Sequence, residues 1–483
     1  MSVAEKISQA ELQSEIQSAA LPAAKNSIPL RFITCGSVDD GKSTLIGRLL
    51  WDTKAVFDDQ VGAIEKLSDS HENGVGSLEF ANLLDGLQAE QEQGITIDVA
   101  YRYFSTPNRS FIVADTPGHA QYTKNMVTGA STADLAVLLI DARSGILEQT
   151  RRHANVVSLM GIKQVILVIN KIDLINYDQA RFDEISEQFK TLAEAFNFTS
   201  ITTIPTSAIK GENVAFTAHE NMPWYDGKTL LETLELAPKS TPRSMGFRFP
   251  VQRISRPDES FRGYQGTIAA GSIKPGDPVT ILPSGQQANV SKIVTFDLVR
   301  NAGVHGDAVT LVLDRQIDIS RGDMIVSNDD KPSLEFSYQA QIIALTEHGI
   351  QPGKQYWLKS NTRKQYVSVD VAETLNLETG LWETAEKIEL NDLSKVQLNF
   401  TNRIAFDTYQ NNKTTGSFIL IDPDTNNTIA GGMITQAIDN VKSITPNMPK
   451  ASTTFTMPSD IAEEFYRSEF YQKHQDSIES NDS

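Results

Sequence analysis

The sequence predicts an α/β domain with a doubly wound, mostly parallel sheet, followed by two β-barrel domains. Between residues 30 and 236, short apolar runs such as residues 111–114 alternate with longer segments of helical character. This alternation is typical of parallel strands that are covered by helices on both faces. After residue 242, strand-like pieces follow one another closely and are separated by breaks that contain proline and glycine, as expected of β-barrels. A chain of 483 residues is also too long for one compact core.

Changes in composition suggest where the domains begin and end. A polar linker at residues 238–242 and a second break at residues 329–332 separate the three folded parts. We therefore expect an N-terminal arm at 1–26, the α/β domain at 27–237, barrels at 243–330 and 333–440, and a polar tail at 446–483.

The composition limits the classes of partner. The chain has 61 acidic and 43 basic residues and a formal charge of −18, which argues against nucleic acid or anionic lipid as a partner. Cys35 is the single cysteine, so no intramolecular disulfide can form, and we expect it to be buried on a strand. The first 26 residues contain no apolar core like that of a secretory signal, and no apolar run approaches the roughly 18 residues of a membrane helix. We therefore expect a cytoplasmic protein without a membrane partner.

A phosphate-binding loop is predicted between the first strand and the first helix. Residues 30–35 read as a strand, residues 44–50 read as a helix, and a Gly-x-x-x-x-Gly-Lys-Ser pattern joins them. In this context the pattern predicts a P-loop, in which backbone N–H groups and the helix N-terminus surround the phosphates. Lys42 would reach the terminal phosphates, and Ser43 would ligate Mg²⁺. The predicted nucleotide-binding residues are Gly36, Ser37, Val38, Asp39, Asp40, Gly41, Lys42, Ser43 and Thr44.

A second element, Asp115-Thr116-Pro117-Gly118-His119, follows directly after an apolar strand. It would therefore emerge at the carboxyl end of the sheet, where ligands of such folds bind. The carboxylate of Asp115 suits Mg²⁺, and Gly118 can approach the γ-phosphate with its backbone N–H, so that loss of this phosphate would release the loop. A plain strand-to-turn segment has the same sequence features, and the P-loop upstream favours the functional interpretation for all five residues.

A third element, Asn170-Lys171-Ile172-Asp173, predicts that the bound base is guanine. The Asp173 carboxylate can accept two hydrogen bonds from the N1–H and 2-amino groups of guanine, a donor pair that adenine lacks. Leaving such a group unpaired costs roughly 1–3 kcal/mol. Ser207 and Ala208, which follow another strand, could close the same pocket with backbone donors to the guanine oxygen.

Thr96 is a further candidate between the P-loop helix and Asp115. Its hydroxyl could reach Mg²⁺ and its amide the γ-phosphate if residues 92–98 form a mobile loop, although an ordinary surface loop explains the sequence equally well. The predicted metal ligands are thus Ser43, Thr96 and Asp115, and the predicted cofactors are GTP and Mg²⁺.

Taken together, these five elements resemble the translational branch of P-loop GTPases, typified by elongation factor Tu, in which a GTP-binding domain is followed by two β-barrels. The counterpart of the first barrel is the segment 262–273. The resemblance implies that His119 orients the attacking water. With Lys42, it would form the catalytic pair.

Details of the motifs point away from translation. The second P-loop residue is Ser37, where elongation factors typically carry histidine. This residue and the segments 85–104 and 317–323 resemble the GTPase subunits of bacterial sulfate adenylyltransferase. The resemblance extends over residues 30–439 and is thinner in the last barrel, where residues 416–422 match best.

That family implies a division of labour in sulfate assimilation. A separate small catalytic subunit would form adenosine 5′-phosphosulfate and pyrophosphate from ATP and sulfate, while this chain hydrolyses GTP to draw the uphill reaction forward. The expected assembly is a heterodimer or larger.

Two alternatives stay open at this point. A protein that delivers aminoacyl-tRNA would belong to the same branch, but the net charge of −18 and the residues Ser37 and Asp40 argue against it. An inactive scaffold is disfavoured because no element of the predicted site is degraded.

Overall fold

The structure is a computed structural model of the chain, and it describes residues 29–55, 98–119, 122–238, 244–258, 261–296, 298–377 and 379–439. These residues belong to one compact unit, Met1–Val441. The predicted N-terminal arm, the predicted C-terminal tail and Thr96 lie outside the described residues. Within the described ranges, no helix is long and apolar enough to cross a membrane.

The N-terminal part is an α/β domain built on one six-stranded sheet. Its strands are β1 (Leu30–Cys35), β2 (Ala100–Ser105), β3 (Ser110–Asp115), β4 (Leu135–Asp141), β5 (Gln164–Asn170) and β6 (Ser200–Pro205). Its helices are α1 (Lys42–Asp52), α2 (Thr123–Ser131), α3 (Glu148–Leu159), α4 (Gln179–Ala193) and α5 (Leu230–Leu236). The strand order is β2-β3-β1-β4-β5-β6, and only β2 runs antiparallel to its neighbour. The predicted doubly wound, mostly parallel sheet is confirmed.

Burial on both faces explains why the central strands are continuously apolar. All seven residues of β4 are buried. Val137 and Leu139 pack into one core with residues of α1 and α5, whereas Leu138 and Ile140 pack into a second core with residues of α3 and α4. Successive side chains of a strand point to opposite faces, so helices must cover both sides and the polar motifs are left at the strand ends.

An antiparallel barrel follows the α/β domain. Its strands are β7 (Arg248–Pro250), β8 (Arg253–Ser255), β9 (Gly263–Thr267), β10 (Ser272–Ile273), β11 (Pro278–Leu282), β12 (Gln287–Thr295), β13 (Leu298–Arg300), β14 (Gly303–Val304), β15 (Ala308–Leu313) and β16 (Met324–Ser327). The main sheet has the order β7-β16-β11-β12-β15-β9-β8. Because β7 and β8 are successive pieces of one chain segment and pair with β16 and β9 respectively, the sheet closes on itself.

A second antiparallel barrel completes the described chain. Its strands are β17 (Ser333–Ala344), β18 (Gln355–Ser360), β19 (Arg363–Leu375), β20 (Trp382–Thr384), β21 (Leu393–Phe406), β22 (Ser417–Ile421) and β23 (Thr428–Ile438). The order is β18-β22-β23-β17-β21-β19-β20, and an additional pairing between β18 and β19 closes the ring. Two β-barrels were predicted and are present. The residue numbers proposed for the domain boundaries stay a prediction.

Buried polar contacts join the three parts. Arg248, at the start of the first barrel, forms an ion pair with Asp407, which follows β21, at 3.0 Å between Nε and Oδ2. Thr415 donates a further hydrogen bond to Asp407 at 2.6 Å. The hydroxyl of Tyr409 donates to the carbonyl of Met160, beyond the end of α3, at 3.2 Å. The second barrel therefore contacts both the first barrel and the α/β domain.

Candidate nucleotide-binding site

The predicted motifs meet at the carboxyl edge of the parallel sheet. Thr34, near the end of β1, lies in register with Asp115, the last residue of β3. Asp141 and Asn170, the last residues of β4 and β5, are likewise in register. Ligands of open α/β sheets bind at this edge, and the sheet topology alone therefore gathers residues that are distant in sequence.

The segment 36–41 turns tightly between β1 and α1. Asp39 and Gly41 have left-handed backbone conformations, with φ of 69° and 90°. A Cβ atom on Gly41 would lie 2.5 Å from the side-chain nitrogen of Asn170. Both the conformation and the close approach therefore require glycine at this position.

Lys42, the first residue of α1, is buried under this turn. Its Nζ donates to the carbonyl oxygens of Gly36 at 3.0 Å and Ser37 at 2.9 Å. Burial lowers the pKa of Lys42, and the nearby Asp115 and Asp40 oppose this shift. The loop thus holds a desolvated cation at the centre of the site.

Asp40 and Cys35 are titratable groups close to Lys42. Asp40 accepts a hydrogen bond from the Ser37 amide at 2.5 Å, and burial raises the pKa of Asp40 to about 6. Cys35 is buried on β1 as predicted, and burial raises the pKa of its thiol to about 12. A thiol with so high a pKa is a packing residue and not a nucleophile.

Asp115 and Ser43 form an oxygen-rich pair. Ser43 Oγ donates to Asp115 Oδ2 at 3.3 Å, and Thr34 Oγ1 donates to Asp115 Oδ1 at 3.1 Å. The hydroxyl of Thr116 instead binds the carbonyl of Thr34 at 2.6 Å. Burial raises the pKa of Asp115, and Lys42 opposes this shift. A hydroxyl and a carboxylate that converge in this way are the donor chemistry that Mg²⁺ prefers.

Gly118 closes the site from the β3 side. A Cβ atom there would lie 2.5 Å from Lys42 Nζ and 2.7 Å from the carbonyl oxygen of Gly36, so only glycine fits. The buried hydroxyl of Ser37 has no hydrogen-bond partner within the described part of the chain. The Lys42 ammonium group, the glycine backbone and the hydroxyl of Ser37 together provide the groups that a phosphate would bind.

His119, the residue after Gly118, is exposed at the rim of the site. Its ring centre lies 6.2 Å from that of Tyr122.

Asn170 connects the P-loop to the loop after β6. Its side-chain nitrogen donates to the Asp40 carbonyl at 2.8 Å, and its side-chain oxygen accepts from the Ala208 amide at 3.0 Å. Asp173 is half-buried in a short 3₁₀ helix, Ile172–Ile175. The predicted base-recognition elements therefore lie next to the predicted phosphate-binding loop.

Ser207 and Ala208 are both buried, and their amides have acceptors within the chain. The Ser207 amide donates to the carbonyl of Glu212 at 3.2 Å, and the Ala208 amide donates to Asn170. The pair thus shapes a wall of the pocket, while its donation to a guanine oxygen stays a prediction.

The predicted site residues that the structure describes differ in exposure. Three are exposed at the rim: Val38, Asp39 and His119. Five are partly buried: Gly41, Ser43, Thr44, Lys171 and Asp173. The others are buried: Gly36, Ser37, Asp40, Lys42, Asp115, Thr116, Pro117, Gly118, Asn170, Ser207 and Ala208.

Asp141 is a residue of the site that was not predicted from the sequence. This buried carboxylate pairs with Lys171 at 3.2 Å and with Arg143 at 2.6 Å. Burial raises the pKa of Asp141, but hydrogen bonds from Arg143 and Lys171 outweigh it and lower the pKa to about 2. An acidic residue that ends a fully apolar strand was the available signal.

Comparisons with known proteins agree with this geometry. Residues 29–240 match the elongation factor Tu GTP binding domain, and residues 337–435 match the GTP-eEF1A C-terminal domain-like family. The sulfate adenylyltransferase subunit 1 of Rhizobium meliloti (strain 1021) is 59% identical over 94% of this chain and 91% of that protein. The protein of the same name from Rhizobium rhizogenes (strain K84) is 60% identical over 95% of this chain and 92% of that protein. The bifunctional enzyme NodQ of Rhizobium sp. (strain N33) is 48% identical over 88% of this chain and 66% of that protein. The chain belongs to the sulfate adenylyltransferase subunit 1 family, whose N-terminal domain is a GTP-binding domain of the elongation factor Tu type.

Proposed function

We propose that this chain is the GTP-hydrolysing subunit of a heteromeric sulfate adenylyltransferase. In this proposal a separate small catalytic subunit converts ATP and sulfate to adenylyl sulfate and diphosphate, in the cytoplasm, and GTP hydrolysis is coupled to that reaction. The observation that carries the proposal is the convergence of Lys42, Asp115 and Gly118 at one edge of the sheet, in a chain about three-fifths identical to proteins named sulfate adenylyltransferase subunit 1.

The P-loop and the two motifs that follow it would divide the work of hydrolysis. Lys42 is a buried cation next to Gly118, and it would stabilise negative charge on the phosphates during in-line attack by water. The Gly118 amide would contact the γ-phosphate, and the adjacent His119 would orient the attacking water.

Ser43 and Asp115 would hold Mg²⁺, with Thr96 as a third ligand predicted from the sequence alone. When bound, this ion would neutralise negative charge on the phosphates during hydrolysis. Among the described residues, the pairing of Ser43 Oγ with Asp115 Oδ2 supports this assignment.

The base would be selected by the segment that follows β5. Asp173 supplies the carboxylate for the guanine donor pair, and Asn170 fixes the pocket relative to the P-loop through its hydrogen bond to the Asp40 carbonyl. The guanine base would therefore be recognised next to the loop that binds the phosphates.

Coupling requires that the small subunit bind the GTP-bound and GDP-bound states with different affinity. A partner that does not distinguish them cannot be driven by the hydrolysis. No arginine that would complete the site was predicted from the sequence, so we expect slow hydrolysis by the isolated chain. Completion of such a site by a partner can raise the rate on the order of 10³–10⁵-fold.

The direct test is GTP turnover by the purified chain, with and without its co-purified partner. We expect strong acceleration by the partner, and a His119→Ala variant of the complex should lose it while still binding GTP. Equal turnover with and without the partner would refute partner activation. Capture of tRNA instead of a protein partner would favour the aminoacyl-tRNA alternative.

A further inference from the structure

We propose that Asp141 is a positioning residue that holds the Lys171 side chain along one wall of the guanine pocket. The inference rests on the proposed function, because it concerns how the proposed GTP site is kept in shape. It adds to that site a residue that the nucleotide-binding motifs do not contain.

The strand register brings the two residues together. Asp141 ends β4 and lies in register with Asn170, which ends β5. The Ala142 amide also donates to the Asn170 carbonyl at 2.9 Å. The hydrogen bonding between β4 and β5 therefore continues one residue past their last pair, Asp141 and Asn170. Lys171 follows directly and reaches sideways across this step to Asp141, at 3.2 Å between Nζ and Oδ2.

The path of the Lys171 side chain passes the P-loop. A Cβ atom built on Gly41 would lie 4.0 Å from Lys171 Cε, so the methylene stem runs beside the turn that is to hold the phosphates. The tip is then fixed by a side chain that is 5% exposed, while Lys171 itself is 22% exposed. Lys171 also has a left-handed backbone, with φ of 59°, a conformation that costs free energy unless surrounding contacts maintain it.

Asp141 is held firmly enough to serve as this anchor. Arg143 binds it through Nε at 3.0 Å to Oδ1 and Nη2 at 2.6 Å to Oδ2, and the Arg143 amide donates to Oδ1 at 2.9 Å. The low pKa of Asp141, about 2, keeps it ionised throughout the physiological range. Its negative charge therefore faces Lys171 Nζ at 3.2 Å.

A purely structural role for Asp141 makes a different prediction. Its contacts with the Arg143 amide form a local turn, and asparagine, which has the same shape and an oxygen at the same position, can form that turn as well. The charge is needed by the ion pairs with Lys171 and with Arg143. The variant Asp141→Asn therefore keeps the turn and removes the charge, and the comparison with Lys171→Met separates the pair with Lys171 from the pair with Arg143.

The experiment is a double-mutant cycle on the full-length chain, read out as dissociation constants for GDP and a non-hydrolysable GTP analogue. Asp141→Asn and Lys171→Met should each weaken both nucleotides about tenfold, which corresponds to about 1.4 kcal/mol. The double variant should bind within about twofold of Lys171→Met alone, because residues that act through one contact are not additive. Glu148→Gln, which removes the charge of an exposed carboxylate that pairs with Arg152, is the matched control and should bind as the wild type does.

Asp141→Glu provides a second variant if the asparagine variant does not fold. It keeps the charge and should bind within about threefold of the wild type, with the GTP-to-GDP preference unchanged; a loss as large as that of Lys171→Met would overturn the inference. Two other results would overturn the inference while leaving the proposed function intact. In one, Asp141→Asn reduces nucleotide affinity by the same factor in the Lys171→Met background as in the wild type. In the other, Asp141→Asn does not reduce nucleotide affinity. A wild-type chain that binds no guanine nucleotide would overturn both.

Discussion

The Gly118→Ala substitution probes the proposed γ-phosphate contact most directly. The added Cβ would lie 2.5 Å from Lys42 Nζ, 2.7 Å from the Gly36 carbonyl oxygen and 2.8 Å from the Ser37 carbonyl carbon. Two of these three atoms belong to the P-loop backbone, so the loop after β3 must move away. Overpacking of this kind costs about 1–3 kcal/mol. A free-energy cost of about 1.4 kcal/mol corresponds to a factor of ten in affinity. Nucleotide binding that requires Gly118 to lie this close to the P-loop should therefore weaken about 5- to 150-fold.

The loss should fall on the triphosphate. We expect a non-hydrolysable GTP analogue to lose affinity by this factor in Gly118→Ala, because the Gly118 amide is proposed to contact the γ-phosphate, whereas GDP should bind much as before. Titration calorimetry of both nucleotides measures the difference. Gly431→Ala is the control, since a Cβ there meets nothing within 4 Å. Wild-type affinity of Gly118→Ala for the analogue would refute the proposed contact.

Three further changes test other parts of the account. Asp173→Asn should shift the base preference from GTP towards XTP, and competition binding that shows unchanged preference for GTP would contradict the base assignment. Burial raises the pKa of Asp40 to about 6, so its contribution to stability is fully present below about pH 4 and is lost as the pH rises through about 6. Asp40→Asn should therefore be more stable than the wild type at pH 7.5 and not at pH 4 in urea unfolding, and an equal gain at both values would exclude the carboxylate as its source. Arg248→Met leaves the buried Asp407 uncompensated and should cost about 3–5 kcal/mol in the same assay, and a loss below about 1 kcal/mol would show that this ion pair does not stabilise the barrels.

The sequence predicted the elements whose signals are local. The apolar strand, the glycine-rich turn and the helix around Lys42 are contiguous, and each part restricts the backbone on its own, so the P-loop could be located without knowledge of the fold. The same holds for Asp115, which ends a buried strand, and for Asp173, which closely follows one.

Features that depend on contacts between distant segments could not be predicted. Asp141 becomes part of the site only through the register between β4 and β5, and a single acidic residue after a strand does not reveal its partner. The closure of the second barrel through β18 and β19 likewise follows from three-dimensional pairing. Thr96 stays a prediction, since it lies outside the described residues.

The hydrogen-bond acceptors of the Ser207 and Ala208 amides could not be predicted from the sequence either. Their positions at the pocket follow from the parallel pairing of β5 and β6, which the alternation of strands and helices predicts. Which acceptor each amide finds depends on the turn that follows β6, where Glu212 takes the Ser207 amide. The acceptor of each amide is thus determined by the local backbone geometry of this turn, which the amino-acid composition does not predict.

In the proposed function, GTP hydrolysis at this site drives adenylyl sulfate synthesis by the partner. The most direct measurement is the amount of adenylyl sulfate formed from ATP and sulfate by the co-purified complex, with GTP, with a non-hydrolysable analogue and with XTP. We expect GTP alone to stimulate the wild-type complex, and XTP to replace it in the Asp173→Asn complex. Synthesis that is the same with and without GTP, or stimulation by GTP that survives unchanged in Asp173→Asn, would contradict the account.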